Sequence, residues 1–162
     1  MTGAAISSKT SITFPAGDIT PWTGETADDV LAAGAGEYSV ADARAIVKRF
    51  AEVTTSLHVD TFVEGFTPDC VTSFNEFADM KGREALRQFM EPRFERLAEA
   101  GSRFLCRKAL RSLTGSTFGV VWFNEWIDPH SNKPMRAKGL EFWLMKSGQI
   151  ARWDCCTAIW AA

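Results

Sequence analysis

Glu141, Asn124 and His58 are the residues of this chain whose types and settings best suit chemistry. Glu141 stands in the run Met135–Lys146 (MRAKGLEFWLMK), two residues before Trp143. Asn124 lies between Trp122 and Trp126 in Phe118–Asp128 (FGVVWFNEWID), and a third run, Gln149–Trp160 (QIARWDCCTAIW), adds Trp153 and Cys155. Five of the six tryptophans fall between Trp122 and Trp160. A carboxyl group among so many indoles is expected to hold its proton more tightly than in water, which suits a general acid or base near neutral pH. An amide beside it can orient a substrate hydroxyl or carbonyl. The bland alternatives are an ion pair of Glu141 with Arg136, Lys138 or Arg152, and a backbone hydrogen bond for Asn124. His58, at the start of a short helical pattern, is either a third catalytic group or a solvent-facing cap. His130 falls in a Pro-rich turn and reads as exposed. Cys155 has no evident histidine or helix N-terminus to activate it and reads as a small packing residue.

Composition narrows what such groups could serve. The chain has 162 residues, 46% of them hydrophobic and 23% charged, as expected for one soluble domain with a real core. A net charge of −2 with no long basic run excludes general affinity for nucleic acid or an anionic membrane. No apolar stretch reaches the roughly 18–20 residues that span a bilayer. The first residues, MTGAAISSKTSITFPAG, lack the basic start and apolar middle of a secretory signal, so a cytoplasmic location is expected. Four cysteines without a CxxC, and two histidines without an HExxH, give no metal motif. A carboxylate-only metal site is the alternative left, and no carboxylate cluster marks it. Neither metal nor organic cofactor is expected.

The elements that must position the site follow from periodicity. Residues 1–38 are rich in Thr, Ser, Ala and Gly and read as an irregular extension: a loose tail, or an arm over a pocket or partner subunit. From Ser39 or Asp42, Ala43, Ile46, Val47, Phe50 and Val53 make a helical apolar stripe. A shorter helix is predicted over Val59–Gly65, a turn at Pro68-Asp69 and a strand over Cys70–Phe77. Lys81-Gly82 opens a third helix to about Ala100, which Pro92 should kink or restart and Gly101 should stop. Then come Phe104–Leu113 and the three tryptophan-rich runs, all strands. Helices segregated from an antiparallel meander define an α+β domain over residues 39–162.

This order resembles the nuclear transport factor 2-like superfamily and, within it, the SnoaL-like group. Asp69-Cys70-Val71 at the first strand, Lys81-Gly82-Arg83-Glu84-Ala85-Leu86 at the third helix and Lys146-Ser147-Gly148-Gln149-Ile150 at the last hairpin carry the likeness, over about residues 40–160. The resemblance implies a cone: a strongly bent antiparallel sheet wrapped around about three N-terminal helices, enclosing an apolar cavity. It also implies homodimerisation through the sheet. Members include ketosteroid isomerases, limonene-epoxide hydrolases, scytalone dehydratases, polyketide cyclases and non-catalytic binding proteins, so fold alone does not select a function.

Counting back from Ser147-Gly148, as in the enzymes this chain resembles, puts Gly139, Glu141 and Trp143 inward, with Trp153, Cys155 and Thr157 on the next strand. Pairing across the 128–135 hairpin sets Trp122 opposite Glu141 and gives Trp122, Asn124 and Trp126 the same face. One bulge would exchange Asn124 for Glu125, or Cys155 for Asp154. Where ketosteroid isomerases carry a tyrosine and two aspartates, this chain has Phe50, Phe74 and Glu141. Where epoxide hydrolases of this fold carry an Asp-Arg-Asp set, it has Asn124, Trp122 and Cys155. Its single tyrosine, Tyr38, lies outside the core strands, unlike the tyrosines of scytalone dehydratases. What remains is Glu141 with Asn124, inside a lining of Trp122, Trp126, Trp143, Trp153, Phe50, Phe74 and Cys155. The expected function is acid/base catalysis on a hydrophobic, aromatic small molecule: a lyase or retro-aldol cleavage, dehydration, isomerisation or cyclisation. The alternative is a non-catalytic binding or dimerisation module.

Overall fold

The computed structural model describes residues 30–33, 36–99 and 104–161. In chain order these form β1 (Leu31–Ala33), α1 (Val40–Ser56), α2 (Val59–Glu64), β2 (Phe66–Phe74), β3 (Met80–Lys81), α3 (Gly82–Glu99), β4 (Leu105–Thr114), β5 (Thr117–Ile127), β6 (Pro134–Lys146) and β7 (Gln149–Ala161). One sheet runs in the order β1-β4-β5-β6-β7-β2-β3, and it curves around the helices without closing. A bent sheet wrapped around three helices is the α+β cone expected from the sequence. No helix among the described residues is long and apolar enough to cross a membrane.

Local chemistry explains the helices. Ser39 caps α1 in a capping box: its Oγ accepts from the Asp42 N–H at 3.1 Å, and the Asp42 carboxylate accepts from the Ser39 N–H. Ala43, Val47 and Phe50 then turn one buried face toward the sheet. Thr55 fastens that helix to the start of β4, its Oγ1 accepting from the Cys106 N–H at 3.1 Å. Helix α3 runs unbroken through Pro92 rather than restarting there. Proline removes one helical donor, and the carbonyl so released belongs to Gln88, an exposed residue whose oxygen water can serve. The stop expected at Gly101 lies outside the described residues.

Two other expectations shift. Strand β2 spans Phe66–Phe74, not Cys70–Phe77, and Pro68-Asp69 lies inside it. The pairing with β7 slips between Phe66 and Val71, so the proline occupies an irregular stretch and not a turn. The strand ends at Asn75, whose φ of 51° turns the chain. Residues 31–33, within the segment read as irregular, pair in parallel with β4 at Ser112–Thr114. Tyr38 follows, its hydroxyl accepting from the Gly148 N–H at 3.0 Å and its ring edge-on to buried Phe118. Residues 1–29 and 34–35 of the extension lie outside the described residues.

The core fills the concave side of the sheet. Trp143, Phe62, Phe66, Phe118 and Leu86 are fully buried, and the Phe50 ring meets Trp143, Phe62 and Phe66 at centroid distances of 5.0–5.6 Å. Offset and edge-on aromatic contacts of this kind add to the area they bury.

Candidate active site

Alternation along three adjacent strands assembles this part of the inner face. From β5 come Phe118, Val120, Trp122 and Asn124; from β6, Gly139, Glu141 and Trp143; from β7, Trp153 and Cys155. The open parity resolves in favour of Asn124 and Cys155. Glu125 lies on the outer face between Arg107 and Arg136, and Asp154 pairs with Arg152. The β5–β6 register differs from expectation by two residues: Val120 stands opposite Glu141, and Trp122 opposite Gly139. Asp128 tightens the turn, its Oδ1 accepting from the N–H groups of His130 and Ser131, so the ladder closes at Ile127–Pro134. The indole of Trp122 lies against Gly139, where a Cβ would come within 2.5 Å of Cε2. Only glycine leaves room for that ring.

Glu141 does not pair with Arg136, Lys138 or Arg152, because those three side chains lie on the outward phase of β6 and β7. Its partner is Lys108 of β4, which sequence reasoning missed. Lys108 Nζ donates to Glu141 Oε1 at 2.6 Å, with side chains 4% and 2% exposed. The ammonium reaches Glu141 over the intervening strand β5. Trp143 Nε1 donates to the other oxygen, Oε2, at 2.9 Å, and Cys155 Sγ lies 4.0 Å from Oε1. Around the ammonium, the rings of Phe50, Trp122 and Trp143 stand 5.7, 5.7 and 5.9 Å away, within cation–π range. Burial pushes the Lys108 pKa down, yet the Glu141 carboxylate beside it wins and holds the pKa above the ordinary lysine value. The ammonium form is therefore the resting state. A signal for Lys108 was present, since Cys106, Lys108 and Leu110 alternate as an inward series.

The other candidates distribute as follows. Phe74 packs on Trp153 and Phe89, and Trp126 lies partly buried against the core. His58 is not brought to this site. It precedes α2 as an exposed residue with no side-chain cap bond, in a surface cleft with Asp60, Glu91 and Glu95. Cys155 is an inert thiol: burial, then Glu141, pushes its pKa to about 12, and burial pushes Cys106 to about 11. These shifts favour the folded state up to the ordinary thiol pKa of about 8.5. That contribution is lost as pH rises from there through the two raised values. Iodoacetamide at pH 8 is expected to modify only exposed Cys156, read as one adduct per chain by intact mass. Adducts on Cys106 or Cys155 of the folded protein would contradict this geometry.

Comparison with known proteins agrees with the fold. A family model described as SnoaL-like domain matches residues 47–153, about two thirds of the chain. Among solved structures, a putative isomerase from Bacillus subtilis superposes with a TM-score of 0.60 at 13% identity, over 70% of this chain and 84% of that one. The epoxide hydrolase/cyclase-like enzyme SalBIII, described for its role in pyran ring formation in the polyether salinomycin, gives 0.59 at 15% identity, over 72% and 94%. No curated protein sequence matches significantly.

Proposed function

The chain belongs to the SnoaL-like domain family, and from that premise we propose a cofactor-independent enzyme that moves protons on a hydrophobic, aromatic small molecule. The observation that carries this reading is the dry Lys108–Glu141 pair set in an aromatic inner face. The pair is neutral as a unit, so a neutral substrate meets no net charge. Lys108 spends one N–H on Glu141 and has two more for a substrate oxygen. In a retro-aldol step Glu141 takes the hydroxyl proton, the C–C bond breaks as that oxygen becomes a carbonyl, and the electron pair passes to the enolate of the other fragment. Lys108 stabilises that enolate oxygen, a gain realised most fully in the transition state in a site of low polarity. Isomerisation, dehydration and cyclisation use the same two roles. Two of its solved neighbours bear the names of an isomerase and of an epoxide hydrolase/cyclase-like enzyme, which supports chemistry of this kind. All four cysteines are free, which suits a reducing compartment, and we place the reaction in the cytoplasm. The test is mass-spectrometric product analysis over aromatic diols, hydroxyketones and polyketide-like compounds, with Glu141→Gln in parallel. Substrate conversion by the wild type and none by the variant is expected. Binding without conversion anywhere in the panel would favour the non-catalytic reading.

A second observation concerns the opposite side of the sheet. Leu140, Phe142 and Leu144 alternate along the outer face of central strand β6, exposed by 63%, 48% and 42%. Exposed Cys156 and Trp160 of β7 share that face. A run of this kind marks an association surface, and we assign it to a homodimer formed sheet on sheet. The double variant Leu140→Arg, Phe142→Glu is expected to sediment as a folded monomer, where the wild type sediments as a dimer. A monomeric wild type at micromolar concentration would contradict the assignment.

A further inference from the structure

A guanidinium gives up hydration when it packs against a protein, and a carboxylate is the usual compensation. Of the partly buried arginines, Arg87, Arg107, Arg136 and Arg152 each form an ion pair. Arg83 instead donates from Nε and Nη2 to the carbonyls of Phe66 and Glu64. Arg93 of α3 is partly buried and has neither arrangement. Its Nη1 donates to the Phe89 carbonyl at 2.5 Å, while among the described residues its Nε–Nη2 edge is unbonded and no carboxylate pairs with it. The guanidinium carbon lies 3.5 Å from the centroid of the Phe89 ring and 6.0 Å from that of Phe77. Phe77 meets Phe89 edge-on at 5.7 Å and is 52% exposed. Helix geometry holds the group there, because Phe89, Arg93 and Arg96 recur on one face of α3. Phe89 packs on Phe74 and Phe77 at the end of β2, and Arg96 reaches Asp128 in the β5–β6 turn. Burial lowers the Arg93 pKa, and no neighbouring carboxylate restores it. The charge nevertheless persists, since arginine does not deprotonate in proteins.

We propose that Arg93 and the exposed ring of Phe77 form a surface binding site for an aromatic carboxylate. The Nε–Nη2 edge presents two parallel donors in a fixed fork, which matches the two oxygens of one carboxylate. A single guanidinium carries one positive charge and so suits a monoanion. Stacking on Phe89 fixes the fork before any ligand arrives, so little side-chain freedom is lost on binding. Phe77 offers the apolar body of the ligand a half-exposed aromatic surface beside the charge. A neutral ligand of the same shape keeps that apolar contact and leaves the guanidinium without its anion. The site needs no interior cavity, because Arg93 and Phe77 both reach the surface. It goes beyond the acid/base reading and does not depend on catalysis at Lys108 and Glu141.

Equilibrium dialysis of 2-naphthoate against 2-naphthamide, alike in shape and different in charge, tests this without requiring turnover. The wild type is expected to bind naphthoate at least about ten-fold more tightly, as a pair of charge-assisted hydrogen bonds at a partly exposed site allows. Arg93→Gln removes the fork and its charge, and is expected to bring the two probes within about two-fold by weakening naphthoate alone. Phe77→Ala is expected to weaken both probes by at least about three-fold and to keep their ratio. Arg49→Gln, at an exposed arginine of α1, is the control for unspecific attraction and is expected to change neither. Circular dichroism checks that the variants fold. Equal binding of the two probes by the wild type, or binding of neither, would overturn the proposal. So would an undiminished ratio in folded Arg93→Gln, unchanged binding in Phe77→Ala, or a loss in Arg49→Gln equal to that in Arg93→Gln. Failure here leaves the acid/base reading standing, because no variant touches Lys108 or Glu141. Absence of turnover in every background likewise leaves the measured ratio intact.

Discussion

Glu141→Gln is expected to lower kcat by about 10²- to 10⁴-fold, the range associated with a single positioned general base. Glutamine matches glutamate in shape, and its carbonyl oxygen can still accept from Lys108 or Trp143. What it cannot do is take a proton. The loss should therefore fall on kcat and kcat/KM together, with KM little changed, the signature of an interaction made in the transition state. Binding of an aromatic probe, followed by equilibrium dialysis, is expected to survive. A variant that retains wild-type kcat would remove Glu141 from the reaction.

Lys108→Met is expected to destabilise the fold by about 3–5 kcal/mol, because it strands a carboxylate that is 2% exposed without its counter-ion. For a chain of this size that corresponds to a melting temperature lower by about 6–20 °C. The double variant Lys108→Met, Glu141→Leu removes both charges, and apolar replacements of a buried pair are often neutral or stabilising. It should recover most of the loss while remaining inactive. Urea unfolding at constant m-value reads the three proteins on one scale. A Lys108→Met protein as stable as the wild type would mean that the pair does not sit in a dry interior.

That pair also shows where the sequence was legible and where it was not. The inner face of β5, β6 and β7 could be read from alternation, because side chains on a strand change sides at every residue and Trp122, Asn124, Glu141, Trp143, Trp153 and Cys155 keep one phase. The capping box at Ser39 and the stripe through Phe50 were equally local. Lys108 was missed because its neighbours Arg107 and Arg111 make the segment look solvated. Its partner lies 33 residues away on a strand that does not adjoin its own, so only the sheet order brings them together. The two-residue register shift at Trp122 had a similar cause: hairpin length depends on how Asp128 folds the loop, which strand periodicity does not encode. His58 was attractive as a residue type, but its position ahead of α2 turns it to the surface. Carboxylate chemistry could be proposed from composition, whereas the cation that governs it required the fold.

The most direct test of the central claim compares product formation by the wild type and by the Lys108→Met, Glu141→Leu protein, with folding of the latter established by its melting curve. Conversion of an aromatic substrate by the wild type is expected, and none above background by the folded double variant. Comparable conversion by both would contradict it, because the chemistry would then not belong to the Lys108–Glu141 pair.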